Sequence, residues 1–181
     1  MKRVTLFLLL YIFVISAYSQ RKEITIKEYF ADAEYFLVLE EYPDALNDYL
    51  QVYNKGYENN ANINYHIGIC YMNIPGQKEQ AISYLEIAAA NASSKFRAST
   101  LNEMYAPVDA YLYLGNAYRI NYELDTAVAC YNKYLELISD QADADKQFVE
   151  KQLEACYIAK EFVMSPKRVE FNNLGSLINT N

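Results

Sequence analysis

The run Tyr111-Leu112-Tyr113-Leu114-Gly115-Asn116-Ala117-Tyr118, followed by Ala127 and Tyr131, constrains this chain more than any bulk property. An aromatic residue, a Leu-Gly pair and a tyrosine fall at helical spacing, and an alanine and a second aromatic follow at the spacing of another helix. The same order recurs upstream. Asn64, Ile67, Gly68 and Tyr71 precede Ala81 and Leu85, and Tyr29, Ala33 and Phe36 precede Ala45 and Tyr49. The earlier copies are degenerate: the aromatic opening is lost at Asn64, Asp32 stands where leucine is expected, and Ala33 replaces glycine. Self-similarity of this kind indicates stacked supersecondary units, each unable to bury its apolar face alone. Each copy reads as two antiparallel helices. The small residues Ala33, Gly68 and Gly115 on the first helix, and Ala45, Ala81 and Ala127 on the second, let the two approach closely. The large residues Phe36, Tyr49, Tyr71, Tyr118 and Tyr131 fill the space between hairpins, and apolar positions recur at the three- and four-residue steps of a buried helical stripe.

This pattern resembles the tetratricopeptide-repeat (TPR) signature, with tyrosine in place of its tryptophan and phenylalanine and without its closing proline. The resemblance implies an all-α fold: a TPR-type α-solenoid of about three helical hairpins plus a C-terminal capping helix. Ala33 and Gly68 are 35 residues apart, close to a repeat length of about 34. Gly68 and Gly115 are 47 apart. The excess falls on Asn91 to Met104, which reads as a loop or as a lengthened second helix plus a loop. Pro75-Gly76 marks a turn one residue longer in the second copy, and Pro107 opens the next helix, where a missing N–H costs little. The aspartates between Asp140 and Asp145 lack the glycine and distal glutamate of a calcium loop; helix capping explains them. The final helix carries Val149, Leu153, Cys156, Ala159 and Val163 on one stripe, caps the array, and stops before Pro166.

Residues 1–19 read as a signal peptide: Lys2 and Arg3, then an apolar run from Val4 to Ala17, then small residues before a cut that leaves Gln20 first. The run is about 14 residues, against the roughly 20 of a membrane-spanning helix. No cysteine follows it to take a lipid anchor. Residues 20–164 are expected to form the array and 165–181 an extended tail toward an absent downstream domain. Removing Lys2 and Arg3 from the 16 basic residues leaves 14 against 23 acidic ones, a formal charge of −9. A chain so acidic, with no basic stripe, is not expected to bind nucleic acid, and it reaches a membrane only through partners.

Little in the sequence suggests chemistry. The three cysteines, Cys70, Cys130 and Cys156, read as small buried hydrophobes, although a Cys130–Cys156 bridge between neighbouring helices stays open in an oxidising compartment. The single histidine, His66, has no ligand-spaced neighbours for a metal and reads as a surface or groove residue. No nucleophile elbow or phosphate-binding loop is present. Neither catalysis nor a cofactor is expected. The 19 tyrosines, with no tryptophan, suit thin cores beside wet grooves, because each ring carries a polar tip.

Ala106-Pro107, Tyr113-Leu114-Gly115, Cys156-x-x-Ala159, Pro166 and Asn173-Leu174-Gly175-Ser176-Leu177-Ile178-Asn179 add a narrower likeness. From Ile26 to Asn179 the chain resembles the N-terminal part of periplasmic TPR proteins of Gram-negative bacteria that continue into a WD-repeat-like β-propeller and an OmpA-like peptidoglycan-binding domain. That resemblance implies a periplasmic scaffold beside an outer-membrane or type IX secretion assembly; peptidoglycan binding does not carry over, because the residues for it are absent. A protein or peptide partner would lie against the first helices, whose outward residues are expected to be Glu34, Leu37, Tyr65, Ile69, Met72, Leu112, Asn116 and Arg119, a mixture suited to gripping an extended peptide or a partner helix. Two other readings compete with it: a spacer that only positions downstream domains, and, more remotely, a helical-array glycosidase, which needs two converging carboxylates.

Overall fold

A computed structural model describes residues 25–138, 143–168 and 170. The expected signal peptide, the stretch around Asp140 and the tail from Phe171 onward, with Asn173 to Asn179, lie outside the described residues. Within them the protein is all-α, with seven α-helices and no strand.

Helix α1 (Ile26–Val38) starts with a capping box. Thr25 Oγ1 accepts from the Glu28 N–H at 3.2 Å, and Glu28 Oε2 accepts from the Thr25 N–H at 2.8 Å; together they satisfy two donors that a helix start leaves free. Helix α2 (Tyr42–Val52) returns antiparallel, with Pro43 in its first turn. The turn between them places Glu40 in the left-handed region, φ 59°, and the Glu41 N–H reaches back to the Phe36 carbonyl at 2.9 Å. Seven residues past Gly115, as Glu40 is seven past Ala33, Tyr122 repeats that conformation at φ 63°, and the Glu123 N–H reaches the Tyr118 carbonyl at 2.9 Å. The first and third hairpins thus share one turn geometry. The second turns one residue later, on Gly76 at φ 76°.

A π-type turn over Tyr53–Tyr57, with Gly56 at φ 102°, closes α2. Asn60 then caps α3 (Ala61–Asn73), its Oδ1 accepting from the Ile63 N–H at 3.0 Å. A short 3-10 turn, Lys78–Gln80, leads into α4 (Ala81–Ala90). The helix ends there, so the extra length of the second unit is a loop and not a lengthened helix. α5 (Asp109–Ile120) begins just after Pro107, whose carbonyl accepts from the Ala110 N–H at 3.0 Å. α6 (Leu124–Leu137) and α7 (Asp143–Met164) complete the chain of helices.

Each helix packs on the one before it and the one after it, and α3 also touches α5. Close approach within the hairpins depends on the small residues. A Cβ built on Gly68 would lie 2.5 Å from Leu85 Cδ2, and one on Gly115 would lie 2.7 Å from Tyr131 Cε1. Ala33, Ala45, Ala81 and Ala127 are fully buried, as are Tyr49 and Tyr131; Tyr71 and Tyr118 are buried and Phe36 is half-buried. The most enclosed helix is α3, on which every residue from Ala61 to Gly68 is buried, because helices flank it on both sides and the loop before α5 crosses its start.

On α7 the expected stripe is shorter than the sequence suggested. Val149 and Cys156 are fully buried, and Leu153 and Ala159 are half-buried, but Val163 is 68% exposed. The last turn borders an open cleft with Tyr122, Leu124 and Asp125 at the start of α6, which leaves Val163 unpacked. No helix among the described residues is long and apolar enough to cross a membrane.

Candidate partner-binding face

The first helices of the three hairpins, α1, α3 and α5, carry the eight residues expected to face outward. The structure divides them. Leu37, Ile69 and Leu112 are half-buried on their helices. Tyr65 and Met72 are buried, 7% and 9% exposed, which corrects the expectation that they face a partner. α3 is the central first helix: the Tyr65 ring meets Tyr113 of α5 edge-on at 5.8 Å and its own neighbour His66 at 5.2 Å, and Met72 belongs to the buried core. Asn116 and Arg119, half-buried, are engaged within the third hairpin. The Tyr131 hydroxyl donates to Asn116 Oδ1 at 2.8 Å. Burial raises the Tyr131 phenol pKa, and a hydrogen bond with Arg119 pulls it part of the way back.

Glu34 is the chemical centre of this face. Its Oε1 accepts from the Tyr49 hydroxyl of α2 at 2.5 Å and from the Ser99 hydroxyl of the long loop at 2.7 Å, and His66 Nε2 of α3 lies 3.7 Å away. One carboxylate oxygen therefore ties together two helices and a loop that are distant in sequence. The phenol of Tyr49 is pushed up, first by burial and then by the adjacent Glu34 charge.

His66 is not a surface residue. It is 7% exposed, and its ring stacks on Tyr49 at 5.2 Å with only 5° between the planes. Neither ring nitrogen has a hydrogen-bond partner. Burial lowers its pKa to about 4 in spite of the Glu34 charge nearby, so the imidazole is neutral at neutral pH.

Sequence reasoning passed over a row of asparagines at the start of α3. Asn60, Asn62 and Asn64 are all buried. Asn64 Nδ2 donates to the carbonyls of Glu58 and Asn60, both at 2.8 Å, which fixes the entry to the helix. Asn60 and Asn62 point their amides at the loop instead. The alternating spacing of three asparagines at a helix start was the available signal, since asparagine side chains there bond to backbone rather than extend the helix. No group of three or more His, Cys, Asp or Glu side chains among the described residues is placed to hold a metal ion. All three cysteines are free and buried. A cavity of about 340 Å³ lies between the base of the loop and the ends of α5, α6 and α7, lined by Phe96, Val108, Asp109 and Tyr134 among others. Burial raises the carboxyl pKa of Asp109 there, and a hydrogen bond with Tyr134 opposes the shift.

The chain matches no protein-family profile and no curated protein.

Proposed function

We propose that this chain is a TPR-type α-solenoid of three hairpins and a capping helix that works, after export to the periplasm, as a scaffold holding an extended protein or peptide partner against its first helices. The observation that carries the reading is the packing order: each helix contacts its chain neighbours, and among the other pairs the first helices α3 and α5 draw together. Contacts limited to neighbours are the mark of a repeat array. The shared left-handed turn at Glu40 and Tyr122, and the small residues Gly68 and Gly115 beneath large partners, support repetition of one unit. Leu37, Ile69 and Leu112 are the accessible apolar positions of the face, and the Glu34 carboxylate adds a polar anchor.

A pull-down tests this. The bait is Gln20 to Asn181, and a second bait carries Leu37→Ser, Ile69→Ser and Leu112→Ser; both are exposed to a periplasmic extract of a Gram-negative cell. A partner held by the first bait, lost from a folded second bait and confirmed by titration with the purified partner, supports the scaffold. Equal capture by both baits, or none by a folded first bait, counts against it.

The spacer reading has one observation of its own. Tyr122 and the last turn of α7 leave an apolar patch uncovered around one cleft, with Tyr122 81%, Val163 68% and Met164 80% exposed. A following domain docked there would make the array a positioning element. The two roles are compatible, and a triple Tyr122→Ser, Val163→Ser, Met164→Ser bait separates them, because the scaffold predicts that partner capture survives that change.

A further inference from the structure

The connection between α4 and α5 is much longer than the next hairpin requires. Its ends lie side by side: the Ser93 N–H donates to the Ala106 carbonyl at 2.9 Å, and the Ala106 N–H donates to the Asn91 carbonyl at 3.2 Å. Residues 93–105 therefore form an Ω-loop, a compact excursion whose removal leaves the path from α4 to α5 intact. The excursion runs back over the start of α3 as far as α1.

The contacts it makes there are those a groove makes with a peptide. Asn60 Nδ2 donates to the Glu103 carbonyl at 2.9 Å and touches Met104 Sδ at 3.3 Å. Asn62 Nδ2 donates to the Thr100 carbonyl at 3.1 Å and to Ser99 Oγ at 3.3 Å. The Ser99 hydroxyl donates to Glu34 at 2.7 Å, and Leu101 is half-buried against the core. Helix side chains thus read loop backbone carbonyls and one hydroxyl, while one apolar side chain anchors the segment. The fit is incomplete: Asn62 Oδ1, on a residue with no exposed surface, has no partner. A segment offering an N–H to that oxygen would gain a hydrogen bond that the loop does not make.

We propose that the loop 93–105 occupies, in cis, a peptide site built from Glu34, Asn60 and Asn62, and that the partner for this site is an extended segment of the same chemistry. Such a segment presents a Ser or Thr hydroxyl to Glu34, the next backbone carbonyl to Asn62, and an apolar side chain in the place of Leu101. The inference rests on the groove-binding reading and adds a competitor to it. A tethered segment has an effective concentration on the order of millimolar, so a free peptide of equal affinity displaces it poorly.

The test uses a labelled peptide with the sequence from Ser93 to Tyr105 and fluorescence anisotropy. In one variant a Gly-Ser linker of about six residues, spanning on the order of 13 Å, replaces Ser93 to Tyr105. This loop-less chain is expected to bind the peptide at least about tenfold more tightly than the intact chain, and Glu34→Gln within it to lose about tenfold, as removal of a charge-assisted hydrogen bond does. A loop-less chain that melts cooperatively yet ignores the peptide, or an intact chain that binds it equally well, overturns the proposal. Should the loop-less chain not fold, Ser99→Ala in the full chain decides: trypsin should cut faster after Lys95 and Arg97 and the peptide should bind more tightly, and no change in either overturns it. Failure here leaves the pull-down above standing, because its substitutions at Leu37, Ile69 and Leu112 touch none of the polar loop contacts.

Discussion

The ring of Tyr131 occupies the space that a side chain on Gly115 would need, with Cε1 2.7 Å from the ideal Cβ position. In an ordinary exposed helix, alanine in place of glycine stabilises by about 1 kcal/mol. Here the added methyl must displace a fully buried ring that also bonds Asn116, and overpacking of a core costs about 1–3 kcal/mol. Gly115→Ala is therefore expected to destabilise by about 1–2 kcal/mol, read as a lower urea midpoint. In a Tyr131→Leu background the same change should cost less or stabilise, because the two positions are coupled. Additive effects would show that the close approach does not limit the hairpin.

Tyr122 is 81% exposed and sits at φ 63°. A left-handed conformation costs an L-residue roughly 1–2 kcal/mol, which glycine avoids. Tyr122→Gly is expected to raise stability by about 0.5–1 kcal/mol, and Glu40→Gly, at the equivalent turn of the first hairpin, to do the same. Glycine at a right-handed exposed helix position such as Glu150 should do the opposite. A thermal melt of the three variants checks the signs.

His66 gives the stability a pH dependence with a definite sign. Its pKa falls from 6.5 unfolded to about 4 folded, so between those values the unfolded chain binds the proton and the folded chain does not. The contribution to stability is complete above pH 6.5 and is lost as the pH falls toward 4, at about 1.4 kcal/mol per pH unit. His66→Phe keeps a flat ring against Tyr49 and removes the titration, and neither imidazole nitrogen gives up a hydrogen bond. The difference in stability between wild type and variant should tilt toward the variant below pH 6.5 and be level above it. A level difference throughout would mean that His66 is solvated in the native state.

The thiols should be silent in the folded protein. Burial pushes Cys70 up to about 12 and Cys130 to about 11, and it raises Cys156 as well. At pH 8 a thiol with a pKa of 11 is ionised about one part in a thousand, and the thiolate is the reactive form. Ellman's reagent is expected to react very slowly with the native chain and with all three cysteines in guanidinium. Rapid native reaction of one thiol would place it at the surface, and a single reactive thiol after unfolding without reductant, identified as Cys70 by peptide mapping, would indicate a Cys130–Cys156 bridge.

The hairpins were legible in the sequence because their determinants are local. Helical spacing, the small residues at positions 68, 115, 45, 81 and 127, and the turn signals around Pro75 and Pro107 each act within a few residues, and period and residue size alone place a helix and its close-packed side. That the described residues are all-α was therefore readable in advance. Where a first-helix residue points was not. Tyr65 and Met72 occupy the positions on α3 that Leu112 and Arg119 occupy on α5, yet they are buried, because α3 has neighbours on both sides and a loop across its start.

The Glu34 site was hidden for the same reason. Tyr49, His66 and Ser99 lie 15, 32 and 65 residues from Glu34, and no local pattern links them; helix packing brings the first two to the carboxylate and the loop delivers the third. Local spacing and residue size were enough to set the helices, their pairing in hairpins and the small residues that let each pair close. The burial of His66 as a neutral ring and the placing of residues 93–105 on Glu34 and Asn62 came from the packed helices together, because burial and long-range hydrogen bonding depend on all of them rather than on any one segment.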